Sequence, residues 1–187
     1  ISSSVVTIGN FDGVHVGHQQ IISRLVEKSK IMGLPCVLIS FSPTPQGFFG
    51  QQQATLSSFK EKHCLLSNLG VDTHLIIYFN QAFSQLTAQN FVQEVLLDKL
   101  GMKHCLIGDD FCFGKGRQGN FKLLQRLSKD NNFTVEKTPS ILCDNQRISS
   151  STIRTSLEGG KMRLAAQMLG REFSIIGKIV HGLKNGR

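Results

Sequence analysis

The sequence lacks several features that would assign it directly to a protein class. None of its apolar runs reaches the length of a membrane-spanning helix. Its five cysteines are odd in number and contain no C-x-x-C pair, so neither a disulfide framework nor a zinc ribbon is indicated. No secretory signal is visible, although the chain opens directly on a predicted strand. This cysteine usage leads us to expect a cytoplasmic protein.

A dense basic run is also missing. The 21 lysines and arginines outnumber the 13 acidic residues, but they are scattered along the chain. A small anion such as a nucleotide accounts for part of the net charge of +8, so we expect neither a nucleic-acid nor a membrane partner. With 187 residues and 40% hydrophobic content, the chain suffices for one substantial α/β domain plus a fragment.

Strand-like apolar runs alternate with helical periodicity. Strands are predicted at residues 5–8, 36–41, 74–79, 105–108 and 133–137. Helices are predicted from residue 15 up to Gly33 and at residues 57–69, 88–100, 120–130, 150–157 and 161–169, with an exposed loop at residues 46–54. This alternation predicts a Rossmann-like, doubly wound parallel sheet with ligands beyond the carboxyl ends of its strands.

The most informative segment is a predicted strand-to-helix turn, residues 9–18, which read G-N-F-D-G-V-H-V-G-H. His15 and His18 are three residues apart, so we expect them on one face of the following helix, close to its N-terminus. The free N–H groups and the dipole at that end favour an anion. Gly17 is expected to keep the backbone accessible to a nucleotide. The segment therefore predicts a polyphosphate receptor; a solvated helix face and a metal site are the alternatives.

A second candidate anion site is the segment 149–154, which reads S-S-S-T-I-R. Hydroxyl side chains at a helix start either cap the helix or bind phosphate oxygens, and Arg154 follows on the next turn. A plain N-cap with a surface arginine is the alternative interpretation.

These segments together resemble one family. Residues 9–18 are similar to the H-x-G-H signature of the nucleotidyltransferases, in the G-x-F-D-G-x-H-x-G-H form of the prokaryotic bifunctional riboflavin kinase/FMN adenylyltransferases, also called FAD synthetases. Four further segments follow in the order of that family: F-S-P-T-P at 41–45, G-D-D-F-C-F-G at 108–114, R-I-S-S-S-T-I-R at 147–154 and L-G-R at 169–171. The resemblance covers almost the whole chain.

The resemblance implies an FMN adenylyltransferase, a nucleotidyltransferase that moves AMP from ATP to FMN and yields FAD and pyrophosphate. Mg²⁺ is expected to accompany ATP, and its protein ligands remain unassigned. The implied domains are an adenylyltransferase domain at residues 1–172 and the start of a riboflavin kinase-like β-barrel at 173–187, with its first strand at 173–180 and a turn after it. No kinase activity is assigned, and the oligomeric state stays open.

The resemblance also implies roles for individual residues. His15, His18 and Arg154 are the predicted catalytic residues, with both histidines donating to the triphosphate. The predicted ATP-binding residues are Gly9, Asn10, Phe11, Asp12, Gly17, Ser150 and Ser151. Two roles are considered for Asp12, capping the following turn or orienting a magnesium-bound water, and we favour the structural one.

The predicted flavin side is the glycine-rich loop after the fourth strand. Its candidate residues are Asp109, Asp110, Phe111, Phe113 and Arg117. The two aspartates are expected to reach a ribityl hydroxyl or a hydrated magnesium ion. The two phenylalanines either pack on the isoalloxazine or anchor the loop in the core. Arg117, with Lys115, either binds the FMN phosphate or is a solvated loop charge.

Thr44 departs from the family pattern, which usually has F-x-P-H-P at this point. Threonine donates a hydrogen bond but carries no positive charge. Two alternatives to the leading function therefore remain: a related nucleotidyltransferase with another phosphorylated acceptor, and a nucleotide- or flavin-binding module with weakened catalysis.

Overall fold

The computed structural model describes residues 1–51, 53–143, 146–178 and 180. Its strands are β1 (Ser4–Ile8), β2 (Cys36–Ser42), β3 (Thr73–Tyr78), β4 (Met102–Gly108), β5 (Thr134–Thr138), β6 (Leu142–Cys143) and β7 (Gln146–Arg147). Its helices are α1 (Val16–Met32), α2 (Pro45–Phe48), α3 (Phe59–Asn68), α4 (Gln81–Ser84), α5 (Ala88–Asn90), α6 (Phe121–Ser128), α7 (Ser150–Glu158) and α8 (Met162–Leu169). A π-helix, Phe91–Lys99, continues α5.

Five strands form one parallel sheet in the order β3-β2-β1-β4-β5. The chain runs outward from β1 to β3, returns to the other side of β1 at β4, and then continues to β5. The direction of winding therefore reverses between β1 and β4, and the loops that follow these two strands diverge. A crevice is expected there, at the switch point of a doubly wound sheet. The predicted α/β fold class is confirmed.

The central strands are buried on both faces, which explains their continuous apolar sequences. All five residues of β1 are buried. On one face the sheet packs against the π-helix through Val92 and Leu96. On the other face it packs against α1 through Ile22 and Leu25. Full burial of each of these side chains stabilises the fold by about 1.5–3 kcal/mol.

The structure contains short elements that the sequence did not predict. The loop expected at residues 46–54 begins with a short helix, α2, in which Pro45 occupies the first turn. The antiparallel pair β6–β7 was not expected, because two-residue strands carry no readable periodicity. None of the described helices is both long and apolar enough to cross a membrane.

The strand predicted at residues 173–180 is not observed in the described part of this segment. Residues 173–178 and 180 belong to neither a helix nor a strand. A strand needs a neighbouring backbone for its hydrogen bonds, and no described strand pairs with this segment. Residue 179 and the turn expected at residues 181–187 lie outside the described residues.

Candidate active site

The turn between β1 and α1 has an unusual backbone. Phe11 and Val14 adopt left-handed conformations, with φ of 49° and 40°. Such conformations are rare for residues other than glycine, especially β-branched ones, and cost about 1–3 kcal/mol each. Between them, Gly13 has φ of 77°, and a Cβ at this position would lie 3.0 Å from the Leu56 side chain. We call residues 9–15 the histidine turn.

Side chains from three helices and from the segment after α8 hold this turn by its carbonyl oxygens. The donors are Lys62 Nζ to Asn10 O (2.9 Å), Ser150 Oγ to Asp12 O (3.0 Å), Arg171 Nη2 to Gly13 O (2.8 Å) and Gln19 Nε2 to Val14 O (2.8 Å). Each bond offsets part of the backbone strain, so the turn is fixed by the surrounding structure rather than by its own sequence.

His15 and His18 stack on each other rather than projecting side by side from the helix. Their ring centroids are 3.5 Å apart, and the rings are inclined by 15°. His15 is the N-cap of α1, because its Nδ1 accepts a hydrogen bond from the His18 backbone N–H at 3.3 Å. Since Nδ1 of His15 is an acceptor, the neutral ring carries its proton on Nε2. The predicted pair is present, but the first histidine lies just outside the helix.

Both imidazoles are neutral at physiological pH. Burial lowers the pKa of His15 to about 4, although the carboxylate of Asp12 opposes this shift. Burial, the neighbouring His15 and the cation Lys62 together hold the pKa of His18 well below its usual value. Nδ1 of His18 is buried and has no hydrogen-bond partner among the described residues. The pair therefore offers uncharged ring nitrogens to a ligand.

Gly17 supports this arrangement for a different reason from the one predicted. A Cβ at this position would lie 3.2 Å from Cε1 and Nδ1 of His15. The small residue makes room for the His15 ring, whereas the sequence prediction reserved this space for an approaching nucleotide.

A pocket of about 230 Å³ lies at the two imidazoles, at the carboxyl ends of β4 and β5. We call it the histidine pocket. Its polar and turn-forming lining residues include His15, Gly17, His18, Asp109, Asp110, Arg147 and Ser150. It occupies the crevice expected at the switch point of the sheet.

Arg147 is a lining residue that sequence reasoning did not assign to the site. Its Nη2 lies 3.1 Å from Asp109 Oδ1 and 2.9 Å from Asp110 Oδ2. The pKa of Asp109 lies below its usual value. Partial burial by itself would raise this pKa, but the hydrogen bond from Ser140 and the charge of Arg147 outweigh that effect. The sequence did contain a signal for this residue, because Arg147 is the first residue of the R-I-S-S-S-T-I-R segment.

Arg154, a predicted catalytic residue, is paired with a carboxylate. Its Nη2 forms a largely buried ion pair with Asp12 Oδ2 at 2.6 Å, and its Nη1 donates to Gln53 Oε1 at 2.7 Å. It does not line the histidine pocket. Asp12 does not cap the following turn either, because both of its carboxylate oxygens accept from the Leu56 N–H, at 3.0 and 3.1 Å. A buried carboxylate requires such partners, and this geometry favours a structural role for Asp12.

The three serines at the start of α7 have separate roles. Ser149 is the N-cap, accepting from the Thr152 N–H at 3.1 Å. Ser150 lines the histidine pocket. Ser151 is exposed and lines neither pocket, so its predicted contact with ATP has no geometric support.

A larger pocket of about 620 Å³ adjoins the first. We call it the aromatic pocket because seven phenylalanines line it: Phe41, Phe49, Phe79, Phe83, Phe91, Phe111 and Phe113. The Phe111 and Phe113 rings are stacked, with centroids 5.5 Å apart. Asp110 lines both pockets and marks their junction.

Of the first three residues predicted to bind ATP, two line the aromatic pocket and one is buried. Gly9 and Asn10 line it, and Asn10 Nδ2 donates to Gln46 Oε1 at 3.1 Å. Phe11 lines neither pocket; its buried ring packs against His18 with centroids 5.0 Å apart.

The loop that carries Phe111 and Phe113 is anchored through Gly114. A Cβ at Gly114 would lie 2.6 Å from the backbone of Ala88, so only glycine permits this approach. Arg117 lines the aromatic pocket, whereas Lys115 is exposed and does not.

Residues 1–152 match the family described as FAD synthetase. The chain belongs to the FAD synthetase family. It is 42% identical over 189 residues to a bifunctional riboflavin kinase/FMN adenylyltransferase of Buchnera aphidicola from Schizaphis graminum, covering all of this chain and 61% of that protein. It is 40% identical over 185 residues to the bifunctional riboflavin kinase/FMN adenylyltransferase of Escherichia coli, covering 98% of this chain and 59% of that protein. The chain thus spans about 60% of the length of these relatives.

The fold is also similar to a solved structure. A crystal structure of a macrolide-efflux protein from Streptococcus pneumoniae superposes with a TM-score of 0.81 and 25% identity, over 92% of this chain and 58% of that one.

Thr44, which departs from the usual pattern of this FAD synthetase family, has a clear structural role. Its Oγ1 accepts from the Gly47 N–H at 3.1 Å and so caps α2. It lines neither pocket.

Among the described residues of this chain, carboxylates and imidazoles do not form a metal cage. In the part of the chain that the structure describes, no three His, Cys, Asp or Glu side chains are arranged to hold a metal ion. The residues present fit a metal ion only if it arrives with most of its ligands, as an ion bound to a nucleotide does.

Proposed function

We propose that this chain transfers the adenylyl group of ATP to FMN and releases pyrophosphate and FAD. One observation carries the proposal: two pockets of different chemistry meet at Asp110, one holding two neutral imidazoles at a helix N-terminus and the other lined by seven phenylalanines. The reaction joins a triphosphate to a planar aromatic acceptor, and each pocket suits one of the two.

The reaction needs positioned donors more than covalent help. An oxygen of the FMN phosphate forms a bond to the α-phosphorus, and the bond from that phosphorus to the bridging oxygen breaks, so that pyrophosphate leaves with the electron pair. Negative charge grows on the bridging oxygen, where positioned N–H donors stabilise the transition state. His15, His18 and the first N–H groups of α1 would supply these donors. Mg²⁺ bound to ATP would neutralise part of the charge on the departing pyrophosphate.

The aromatic pocket fits the flavin. Its volume of about 620 Å³ lies within the range of about 300–1,000 Å³ that holds drug-sized ligands. Offset or edge-on contacts with phenylalanine rings favour a planar aromatic ligand. With the isoalloxazine among these rings, the ribityl phosphate would extend past Asp110 towards the histidine pocket. Arg117 would then face the flavin side, as the sequence predicted.

Two further roles follow from the site. Arg147 is held by two carboxylates beside the imidazoles, and it would exchange these partners for phosphate oxygens when ATP binds. Arg154 would bind phosphate only if its ion pair with Asp12 opened, so we assign it a supporting role.

The experiment is an assay of pyrophosphate release and FAD formation with ATP, FMN and Mg²⁺. Wild type is compared with His18→Ala and with His63→Ala, which removes an exposed histidine of α3 that lines neither pocket. We expect His18→Ala to lower kcat by about 10²–10³-fold, as loss of a transition-state donor does, and His63→Ala to match wild type. Equal turnover in all three would contradict the proposal.

Two alternatives are tested with the same protein. A panel of phosphorylated acceptors with labelled ATP would reveal a related nucleotidyltransferase, if product formed only with a non-flavin acceptor. Calorimetry that showed ATP and FMN binding without pyrophosphate release would indicate a binding module. The domain boundary near residue 172 and a cytoplasmic location also remain predictions.

A further inference from the structure

Two cations lie behind the histidine turn. Lys62, on α3, donates to Asn10 O at 2.9 Å, and Arg171, just after α8, donates to Gly13 O at 2.8 Å. Neither side chain lines the histidine pocket or the aromatic pocket. We call Lys62 and Arg171 the rear cations. Both come from segments far from the histidine signature in sequence.

Within the described part of the chain, the rear cations have no carboxylate at salt-bridge distance. Among the described residues, neither forms a salt bridge, and burial lowers the pKa of both. The nearest opposing charges act only from a distance: Asp12 raises the pKa of Lys62, and Glu61 raises that of Arg171. Removing a cation from water without a paired anion is unfavourable. This cost would be offset by an anion bound on the opposite side of the turn.

The charge balance around the turn also favours an anion bound on its opposite side. Asp12 is the carboxylate of the histidine turn, and it is already paired with Arg154. The two rear cations are opposed only by Asp12 and Glu61 from a distance, so positive charge remains in excess beneath the turn. A triphosphate tail would bring the compensating negative charge, and at low effective dielectric such an attraction is stronger than in water.

Each rear cation also acts on one imidazole. The charge of Lys62 lowers the pKa of His18, and the charge of Arg171 lowers that of His15. Burial makes the larger contribution to both shifts. The rear cations therefore favour the neutral rings, which keep their nitrogens free for hydrogen bonds.

We propose that Lys62 and Arg171 are positioning residues for adenylyl transfer, holding the strained turn from behind and directing positive charge through it towards the triphosphate. This inference rests on the proposed function. It assigns a role to the L-G-R segment and to a lysine of α3, neither of which the histidine and serine motifs account for. The two residues act through the turn, since neither reaches a pocket surface.

The test replaces each rear cation by methionine, an unbranched side chain without a charge. Matched controls are Lys60→Met, on the same helix as Lys62, and Arg163→Met, on the helix that precedes Arg171; both positions are exposed. We measure kcat, KM for ATP, KM for FMN and the melting temperature of each variant. The conservative variants Lys62→Arg and Arg171→Lys keep the charge and a donor.

We expect Lys62→Met and Arg171→Met to lower kcat/KM for ATP by about 10–100-fold, with KM for FMN unchanged. The melting temperature should fall by no more than a few degrees, because each variant loses one hydrogen bond to a carbonyl of the turn and the other bonds that hold the turn remain. Lys62→Arg and Arg171→Lys should recover most of the activity, and both controls should match wild type. A merely structural role would instead affect both substrates alike, with losses of activity that follow the losses of melting temperature, which would overturn the inference.

A second readout separates this inference from the proposed function. Calorimetry measures the affinity for α,β-methylene-ATP, and imidazole NMR measures the histidine pKa values, without turnover. The charged or titratable groups facing the rings are Asp12, Asp109, Asp110, Arg147 and the rear cations. We expect about tenfold weaker nucleotide binding in each methionine variant and a raised His18 pKa in Lys62→Met.

The outcomes are distinguishable. If wild type forms no FAD but binds the analogue more tightly than the methionine variants do, the proposed function fails and the rear cations keep their role towards a nucleotide. If wild type forms FAD and the methionine variants are equally active, the inference on the rear cations fails alone. If wild type does not bind the analogue, both fail.

Discussion

The histidine pocket and the aromatic pocket share one crevice but are built in different ways. The first has a volume of about 230 Å³ and depends on a strained turn whose carbonyls are held by four side chains from distinct segments. The second has a volume of about 620 Å³ and is formed by phenylalanines from strands, helices and loops. The first pocket is therefore specified by hydrogen-bond geometry and the second by shape.

This difference matches what each substrate would require. Stabilising charge on a bridging oxygen requires donors at fixed positions, and a rigid turn provides them. Binding a large planar ring requires apolar area and tolerates small adjustments of side chains. Substitutions at the two pockets should thus have distinct consequences for stability and for substrate binding.

The largest expected effect on stability comes from the ion pair beneath the histidine turn. Arg154→Met leaves the Asp12 carboxylate buried without its cation and should lower the free energy of unfolding by about 3–5 kcal/mol. The matched variant Arg147→Met removes a cation that is 46% exposed, and it should cost less than about 1 kcal/mol. Urea denaturation of both variants measures the difference.

The double variant Asp12→Asn/Arg154→Met is the control for this prediction. It removes both charges and should recover part of the lost stability. Equal stability of Arg154→Met and Arg147→Met would show that the buried pair does not support the turn.

The second prediction concerns pH, which should affect the two pockets unequally. The folded pKa of His15 is about 4, whereas an unfolded histidine titrates near 6.5. The contribution of the neutral His15 ring to the free energy of unfolding is therefore fully present above pH 6.5. It falls as the pH drops towards 4, because only the unfolded chain takes up the proton in this range. We expect a loss of about 1–3 kcal/mol in urea denaturation.

Variants assign this dependence to the histidine pocket. His15→Gln should reduce the decline between pH 6.5 and 4 by the share of this ring, and His18, His74 and His104, whose pKa values burial also lowers, should carry the rest. Phe111→Leu should keep the wild-type slope. An unchanged slope in His15→Gln would mean that other groups carry the pH dependence.

The main sheet, its first helix and the histidine pair could be predicted from the sequence. All five strands of the main sheet were located, and the buried strands β1, β2 and β4 have the continuous apolar runs expected of central parallel strands. The helix after the histidine turn was found from its periodicity and Gly33. The pair His15 and His18 was recognisable because it lies within ten consecutive residues. Local signals of this kind survive in a single sequence.

The parts that were missed depend on contacts between distant segments. Phe41, Phe79 and Phe91 come together only when the sheet forms, and no local pattern marks them as one pocket. The partner of Arg154 is 142 positions away, so its ion pair with Asp12 could not be anticipated. The order of the motifs suggested phosphate binding for Arg154, and in the structure its guanidinium pairs with Asp12 beneath the turn.

The third prediction tests the aromatic pocket alone. Phe111→Leu removes a ring that stacks on Phe113, and it should weaken FMN binding by about five- to tenfold, near 1 kcal/mol. ATP affinity should not change. Calorimetry with each substrate measures both quantities, and Phe59→Leu, at an exposed phenylalanine outside the pocket, is the control. Loss of ATP affinity in Phe111→Leu would mean that the two pockets are not separate.

The smallest effect is expected at Thr44, which lines neither pocket. Thr44→His restores the residue usual in the family but loses the cap of α2, so it should cost about 0.5–1 kcal/mol of stability. Turnover should stay within twofold of wild type. Thr44→Ser keeps the capping hydroxyl and serves as the control. A large rise in turnover for Thr44→His would show that the missing imidazole limits the reaction.

The most direct test of the account is a crystal structure with α,β-methylene-ATP and FMN bound together. We predict phosphate oxygens within hydrogen-bond distance of the His15 and His18 rings, and the isoalloxazine among the phenylalanines beyond Asp110. A triphosphate bound away from both imidazoles, or a flavin outside the aromatic pocket, would contradict it.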